Sequence, residues 1–183
     1  VNFHLVLKYL LGLFREHKIP YALIGGLALG MHGIIRATQD IDFIIPLEDI
    51  RKVEDFLLGH GYQKLYRSDE VASYVSDNFE LGRIDFILAH RKYAKAMINN
   101  AVTINMEDGR EKVNVASLED LIGLKLQAYY NRKDRKTDDI KDIENIIGQS
   151  KSKLDYDKVR EYFSIFNAMD MLNKMWKGKD DAQ

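Results

Sequence analysis

Apolar residues recur at helical spacing near the start of the chain (Leu5, Leu7, Tyr9, Leu10, Leu13, Phe14) and predict an amphipathic helix that Pro20 stops. Tyr21 to Ile24 is a short apolar run that ends in Gly25-Gly26, the pattern of a buried strand entering a tight turn. Leu27 to His32 reads as a short helix closed by Gly33. Ile41 to Ile45 is β-branched and aromatic and predicts a second strand ended by Pro46. Helical spacing returns from Leu47 to Leu58 (Ile50, Val53, Phe56, Leu57) and stops at Gly59 and Gly61. Three strands follow, Tyr62–Tyr66, Val71–Val75 and Arg83–Leu88, and then a helix from Arg91 to Asn99. Val102–Met106 and Lys112–Val115 form a predicted hairpin around Asp108-Gly109, a favoured pair for hairpin turns. Beyond Ser117 the pattern is helical throughout, with helices predicted over 118–131, 138–148 and 156–176. Ser117 and Asp120 have the spacing of a capping box with Asp in the usual Glu place.

Strands and helices mix through the first two thirds, and the last third is helical. The predicted fold class is therefore α+β, a mixed sheet flanked by helices with a C-terminal helical part. The expected division is an α+β domain over 1–116 and helices over 117–183 packed on it. Composition agrees: hydrophobic residues are 46% and charged residues 30% of 183, and only two prolines break the chain, as in an ordinary globular protein. The absence of cysteine excludes disulfides, thiolate zinc sites and a cysteine nucleophile. With 27 basic and 28 acidic residues the net charge is −1, which excludes a protein that coats nucleic acid by bulk charge and leaves room for a local basic patch. Lys8, Arg15, Glu16 and Lys18 interrupt the apolar N-terminal stretch well short of the roughly 20 residues a membrane span needs. The expected location is cytoplasmic, with no membrane partner.

The chemistry concentrates between Gly25 and Asp42. Residues i and i+2 of a strand share a face, so Asp40 and Asp42 project together from an otherwise apolar strand. Two carboxylates so placed repel and call for a cation, and a hard divalent ion such as Mg²⁺ or Mn²⁺ suits oxygen ligands. A glycine pair between strand and helix lets backbone N–H groups approach a phosphate closely. Together these features suit metal-assisted phosphoryl or nucleotidyl transfer. Asp85, a lone carboxylate in the apolar run Arg83-Ile84-Asp85-Phe86-Ile87-Leu88, is the candidate third member, if an adjacent strand brings it beside the pair.

Gly25-Gly26-x-Ala28, Arg36-x-Thr38-x-Asp40-Ile41-Asp42 and Ile84-Asp85 resemble the nucleotidyltransferase superfamily that includes DNA polymerase beta. The likeness is nearest to small nucleotidyltransferases related to abortive-infection toxins. It continues in Leu121-Ile122-x-Leu124-Lys125-Leu126-x-Ala128, Arg132, Lys136 and Asp138-Asp139-Ile140-x-Asp142-Ile143. The resemblance implies that Gly25 and Gly26 hold the triphosphate of an NTP substrate. It implies that Asp40, Asp42 and Asp85 bind Mg²⁺, with Asp85 also activating the acceptor hydroxyl. Lys125 would then reach a phosphate, and Arg36 and Thr38 would shape the loop before the metal strand. Many superfamily members carry Gly-Ser where this chain has Gly25-Gly26, so here only backbone donors face the phosphate. The acceptor is an RNA end, a protein or a small molecule, and the toxin likeness implies an antitoxin partner.

Blander readings stand beside these. No dinucleotide or P-loop glycine pattern is present. His32 reads as a packed histidine rather than a metal ligand. Lys125 sits among Leu121, Leu124 and Leu126, where a lysine can simply snorkel. Arg132, Lys133, Arg135 and Lys136 suit a solvated helix end, a triphosphate or an RNA backbone. Asp138, Asp139 and Asp142 read as structural residues that favour a helix start. Tyr129 and Tyr130 offer rings for a base or for helix packing. The alternative function is a catalytically degenerate nucleotide-binding or interaction module of the same fold. A metal-dependent nuclease fits the paired carboxylates but has no use for the glycine turn.

Overall fold

The computed structural model describes residues 1–106, 109, 111–131 and 136–177. Asp108 of the expected hairpin turn, and Arg132, Lys133 and Arg135 of the basic run, lie outside the described residues, as does the side chain of Lys136. In chain order the elements are α1 (Phe3–Glu16), β1 (Ala22–Ile24), α2 (Gly25–Met31), β2 (Asp40–Pro46), α3 (Ile50–Gly59), β3 (Gln63–Arg67), β4 (Val71–Val75), β5 (Arg83–Ala89), α4 (Lys92–Asn99), β6 (Val102–Asn105), β7 (Lys112–Val115), α5 (Leu118–Asn131), α6 (Lys136–Ser150), α7 (Tyr156–Ile165) and α8 (Met169–Lys177). The chain divides into two compact units, Val1–Ser117 and Leu118–Gln183.

The first unit is built on a seven-stranded mixed sheet of order β3-β4-β5-β2-β1-β7-β6. β2 lies at its centre because Ile41, Phe43, Ile44 and Ile45 have no exposed surface, and a strand buried on both faces needs neighbours on both edges. It pairs antiparallel with β1 and parallel with β5. α1 covers the Phe43 face. Phe14 meets the Phe43 ring edge-on at 5.2 Å, and Phe43 stacks on Phe86 at 6.0 Å. α3 covers the same face further out. Its Glu54 accepts hydrogen bonds from Tyr74 of β4 at 2.8 Å, Lys64 at 2.9 Å and Arg67 at 2.9 Å, the last two on β3. α4 packs against β2 and β5 and buries Met97 and Ile98.

The described residues of the second unit form the helices α5 to α8, whose core includes Leu121, Ile122, Leu126, Ile143, Ile147 and Phe163. At Gly123 a Cβ would lie 2.5 Å from the Tyr162 ring, so the missing side chain lets α7 approach α5. Asp120, fully buried, accepts a 2.6 Å hydrogen bond from the Tyr162 hydroxyl and a 2.9 Å ion pair from Lys158. That carboxylate oxygen ties α5 to α7, a tertiary role that the capping-box reading of Asp120 did not include.

Several boundaries differ from the sequence expectation for local reasons. α1 ends at Glu16, before Pro20, because Lys18 adopts a left-handed φ of 52° and the Ile19 N–H returns to the Phe14 carbonyl. α2 begins on the glycines themselves. The helix expected from Leu47 opens with a 3₁₀ turn over Leu47–Asp49. The single helix expected over 156–176 is two helices, α7 and α8. Asn167 at φ 53° closes the first, and the Ala168 N–H bonds back to the Phe163 carbonyl. None of the described helices is long and apolar enough to cross a membrane.

Candidate active site

The site forms where the C-terminal end of β1 meets the N-terminal end of β2. Ile24 pairs in register with Asp42, so the chain leaves β1 beside that carboxylate. Gly25 follows with φ +71°, a left-handed conformation that favours glycine. A Cβ built there would fall on the Asp42 carboxylate. At the buried Gly26 a Cβ would lie 2.7 Å from the Thr38 Cβ, 3.0 Å from its Oγ1 and 3.4 Å from Arg36 Nη1. The glycine pair is therefore bare backbone enclosed by Asp42, Thr38 and Arg36. The loop that closes it is anchored by the buried Ile34 and by the Thr38 hydroxyl, which donates to the Asp40 carbonyl at 3.1 Å.

The carboxylates come together through strand register. Asp40 and Asp42 share a face of β2, and parallel pairing sets Asp42 directly beside Asp85 of β5. All three are half-buried. The same register places Arg83 beside Asp40. Arg83 Nε donates to Asp85 Oδ1 at 3.0 Å. That hydrogen bond raises the guanidinium's already high pKa. Burial opposes the rise, and the negative charges of Asp85, Asp40 and Asp42 add to it. Sequence reasoning missed Arg83 as a member of this site. The signal was present, since residues 83 and 85 are two apart on one strand and share its face.

Among the described residues no three acidic or histidine side chains close on one point as a metal site would require. Asp85 is engaged by Arg83 instead. The donor set nevertheless fits a hard divalent cation. It is all carboxylate oxygen, and two of its members are cross-strand neighbours. Asp40, Asp42 and Asp85 would hold such an ion once Asp85 turned from Arg83.

Of the other sequence candidates, Lys125 lies in the helical unit on α5. Its ammonium pairs with Asp139 Oδ1 at 2.9 Å and Asp142 Oδ2 at 2.7 Å, and both carboxylates are only 7% exposed. Asp139 and Asp142 are thus buried partners of a lysine, a correction to their reading as residues that merely favour a helix start. His32 is a packed histidine. Its Nε2 donates to the Ala116 carbonyl at 2.8 Å, which joins the end of α2 to the end of β7. Tyr130 stacks on Phe166 at 5.2 Å and meets Tyr129 edge-on, so helix packing uses its ring.

Known proteins share this fold. Solved structures of similar fold include the antibiotic-resistance factor ANT(2'')-Ia, at 18% identity and TM-score 0.63 over 95% of this chain and 97% of that one. They also include the lincosamide antibiotic adenylyltransferase LnuA bound to lincomycin, at 21% identity and TM-score 0.55 over 77% and 96%. A third is an antigenic nucleotidyltransferase-like protein from Paracoccidioides brasiliensis, at 16% identity and TM-score 0.57 over 96% and 92%. At these identities the likeness is one of fold. No curated protein matches the chain. The model of a family described as uncharacterised nucleotidyltransferase matches residues 2–173, nearly the whole chain, and the protein belongs to that family.

Proposed function

We propose that the protein is a divalent-metal-dependent nucleotidyltransferase that moves an NMP from an NTP to a hydroxyl acceptor and releases pyrophosphate. The observation that carries this reading is the register that sets Asp42 between Gly25 and Asp85. The bare backbone at Gly25 and Gly26 receives the triphosphate, and the Arg36 guanidinium beside it neutralises phosphate charge. Thr38 holds the loop in place through the Asp40 carbonyl. Asp40, Asp42 and Asp85 would hold the cation, which when bound polarises the α-phosphoryl group and lowers the pKa of the acceptor hydroxyl. Asp85, on the β5 side of the pair, takes the hydroxyl proton as the acceptor oxygen bonds to the α-phosphorus. The bond from that phosphorus to the bridging oxygen breaks, and pyrophosphate leaves.

One observation favours a second reading, a nucleotide-binding module without catalysis: the Arg83 guanidinium already engages Asp85 where a metal would lie. Calorimetric titration of ATP, GTP, CTP and UTP with and without Mg²⁺ separates the two, followed by transfer assays on wild type and Asp42→Asn. Mg²⁺-dependent binding weakened at least tenfold (about 1.4 kcal/mol) in the variant, together with transfer that the variant abolishes, is the expected result. Mg²⁺-independent binding with no transfer would support the module. A toxin role and an antitoxin partner rest on the sequence resemblance alone, from the Gly25-Gly26 turn to the Lys125 and Asp138-Asp139 helical motif. Their test is growth arrest on expression that Asp42→Asn relieves.

A further inference from the structure

The carboxylate row does not end at Asp85. Asp85 pairs in register with Ser73 of β4, and Ser73 pairs with Tyr66 of β3. The register shift between Lys64 and Tyr66 is a bulge, so Leu65 and Tyr66 together oppose Ser73. On either side of the bulge, Lys64 and Arg67 turn to the α3 face, where both bind Glu54. The bulge therefore re-aims two large apolar side chains away from that face, and Leu65 and Tyr66 are 57% and 56% exposed. Val75, in register with Arg83, and Ile87, two residues beyond Asp85, are half-buried on the same side.

We propose that this face of β3, β4 and β5 is the acceptor platform of the nucleotidyltransferase reaction, and that its occupant is a small hydroxylated compound with an uncharged, ring-shaped apolar face. The inference rests on the nucleotidyltransferase reading and deepens it. Two strand spacings, about 10 Å, separate Asp85 from Tyr66, the length of a one- or two-ring molecule whose reacting hydroxyl lies at Asp85. Tyr66 and Leu65 supply a flat apolar rest for a ring. The charged groups in these rows are Asp40, Asp42, Asp85 and Arg83, and Arg83 is engaged by Asp85. The basic residues of β3 point to the other face. A polyanion such as RNA needs cations along its path, and beyond the carboxylates that would hold the metal these rows carry one basic side chain, Arg83, already paired with Asp85.

The test is NMR titration of the full chain with Mg²⁺ and a non-hydrolysable ATP analogue, adding 4-nitrophenyl β-D-glucopyranoside as an uncharged ring probe and a short oligoribonucleotide as the polyanion. The expected result is shift changes from the glucoside at Leu65, Tyr66, Ser73, Val75 and Ile87, and none there from the oligoribonucleotide. Tyr66→Ala should weaken the glucoside about fivefold, the effect of losing one ring contact of about 1 kcal/mol. Its affinity for the nucleotide analogue should be unchanged. Tyr66 is exposed on an edge strand, so the variant keeps the fold. Glucoside shifts elsewhere or absent, an unchanged affinity in Tyr66→Ala, or oligoribonucleotide shifts on these residues would overturn the platform. If the nucleotide analogue binds in any of those cases, the platform alone fails. If the analogue itself does not bind, the nucleotidyltransferase reading fails and the platform with it.

Discussion

Arg83 shows how one side chain sets the resting state of the candidate site. It is 43% exposed, its guanidinium binds Asp85, and it feels the negative charge of Asp40 and Asp42 as well. A cation supplied by the chain and a divalent metal are alternatives for the same negative charge. Replacing Arg83 by alanine removes the resident competitor, and Mg²⁺ should then bind about two- to fivefold more tightly, the equivalent of one exposed pair worth up to about 1 kcal/mol. Isothermal titration of Mg²⁺ against wild type and Arg83→Ala measures this. Weaker binding in the variant would mean that Arg83 positions Asp85 for the metal rather than competing with it. The Asp40–Asp42 pair was legible from spacing, because the two share a strand face whatever the fold. That Asp85 is occupied by Arg83 was not, since the run Arg83-Ile84-Asp85 permits the contact without requiring it.

At the scale of elements, the helices of the second unit are joined by buried charge. Lys125 on α5 faces Asp139 and Asp142 on α6, one ammonium between two nearly buried carboxylates. Breaking a buried pair strands the remaining charge. Lys125→Met should therefore destabilise the protein by about 3–5 kcal/mol, read from denaturant unfolding. Adding Asp139→Asn and Asp142→Asn should restore most of the loss, because the stranded charges go with it. A Lys125→Met variant as stable as wild type would show that the triad does not hold these helices together. The expected cost also bears on function: lost activity in Lys125→Met is evidence for phosphate contact only if the restored triple variant is inactive too. The helical pattern of α5 and α6 could be read along the chain, but the partners of Lys125 lie 14 and 17 positions away, where periodicity carries no information.

At the scale of the whole molecule, one contribution to stability in acid comes from a carboxylate that joins α3 to the outer strands. Glu54 of α3 binds Lys64, Tyr74 and Arg67, which reach it from β3 and β4. Its pKa falls from 4.5 to about 2. The Lys64 hydrogen bond is the main cause, burial opposes it, and the Tyr74 and Arg67 hydrogen bonds add to it. Tyr74 moves the other way, raised by burial and then by its bond to Glu54. A carboxylate with a depressed folded pKa contributes its stability fully above the unfolded value and loses it as pH falls through the folded value. The stability gap between wild type and Glu54→Gln should be full above about pH 5 and close between 4.5 and about 2. Denaturant unfolding of both proteins across that range checks it. A gap constant with pH would mean that Glu54 acts through packing rather than charge.

Local rules were enough for the order of strands and of the helices through α6, the α+β class, the glycine turn and the Asp-x-Asp face. Side-chain periodicity and glycine's backbone freedom are properties of a few adjacent residues. Helix ends needed more. Lys18 and Asn167 take left-handed conformations that end α1 and α7; Pro20 signals the first end two residues late, and no proline or glycine marks the second. Only the tertiary structure decided the contacts that join distant segments: Asp42 beside Asp85, Arg83 on Asp85, Lys125 between two aspartates, and a bulge that sets Tyr66 opposite Ser73 in the row of Asp85. The physical reason is one of range. Residue spacing determines which face of its own strand or helix a side chain occupies, whereas strand register and helix packing determine what that face meets.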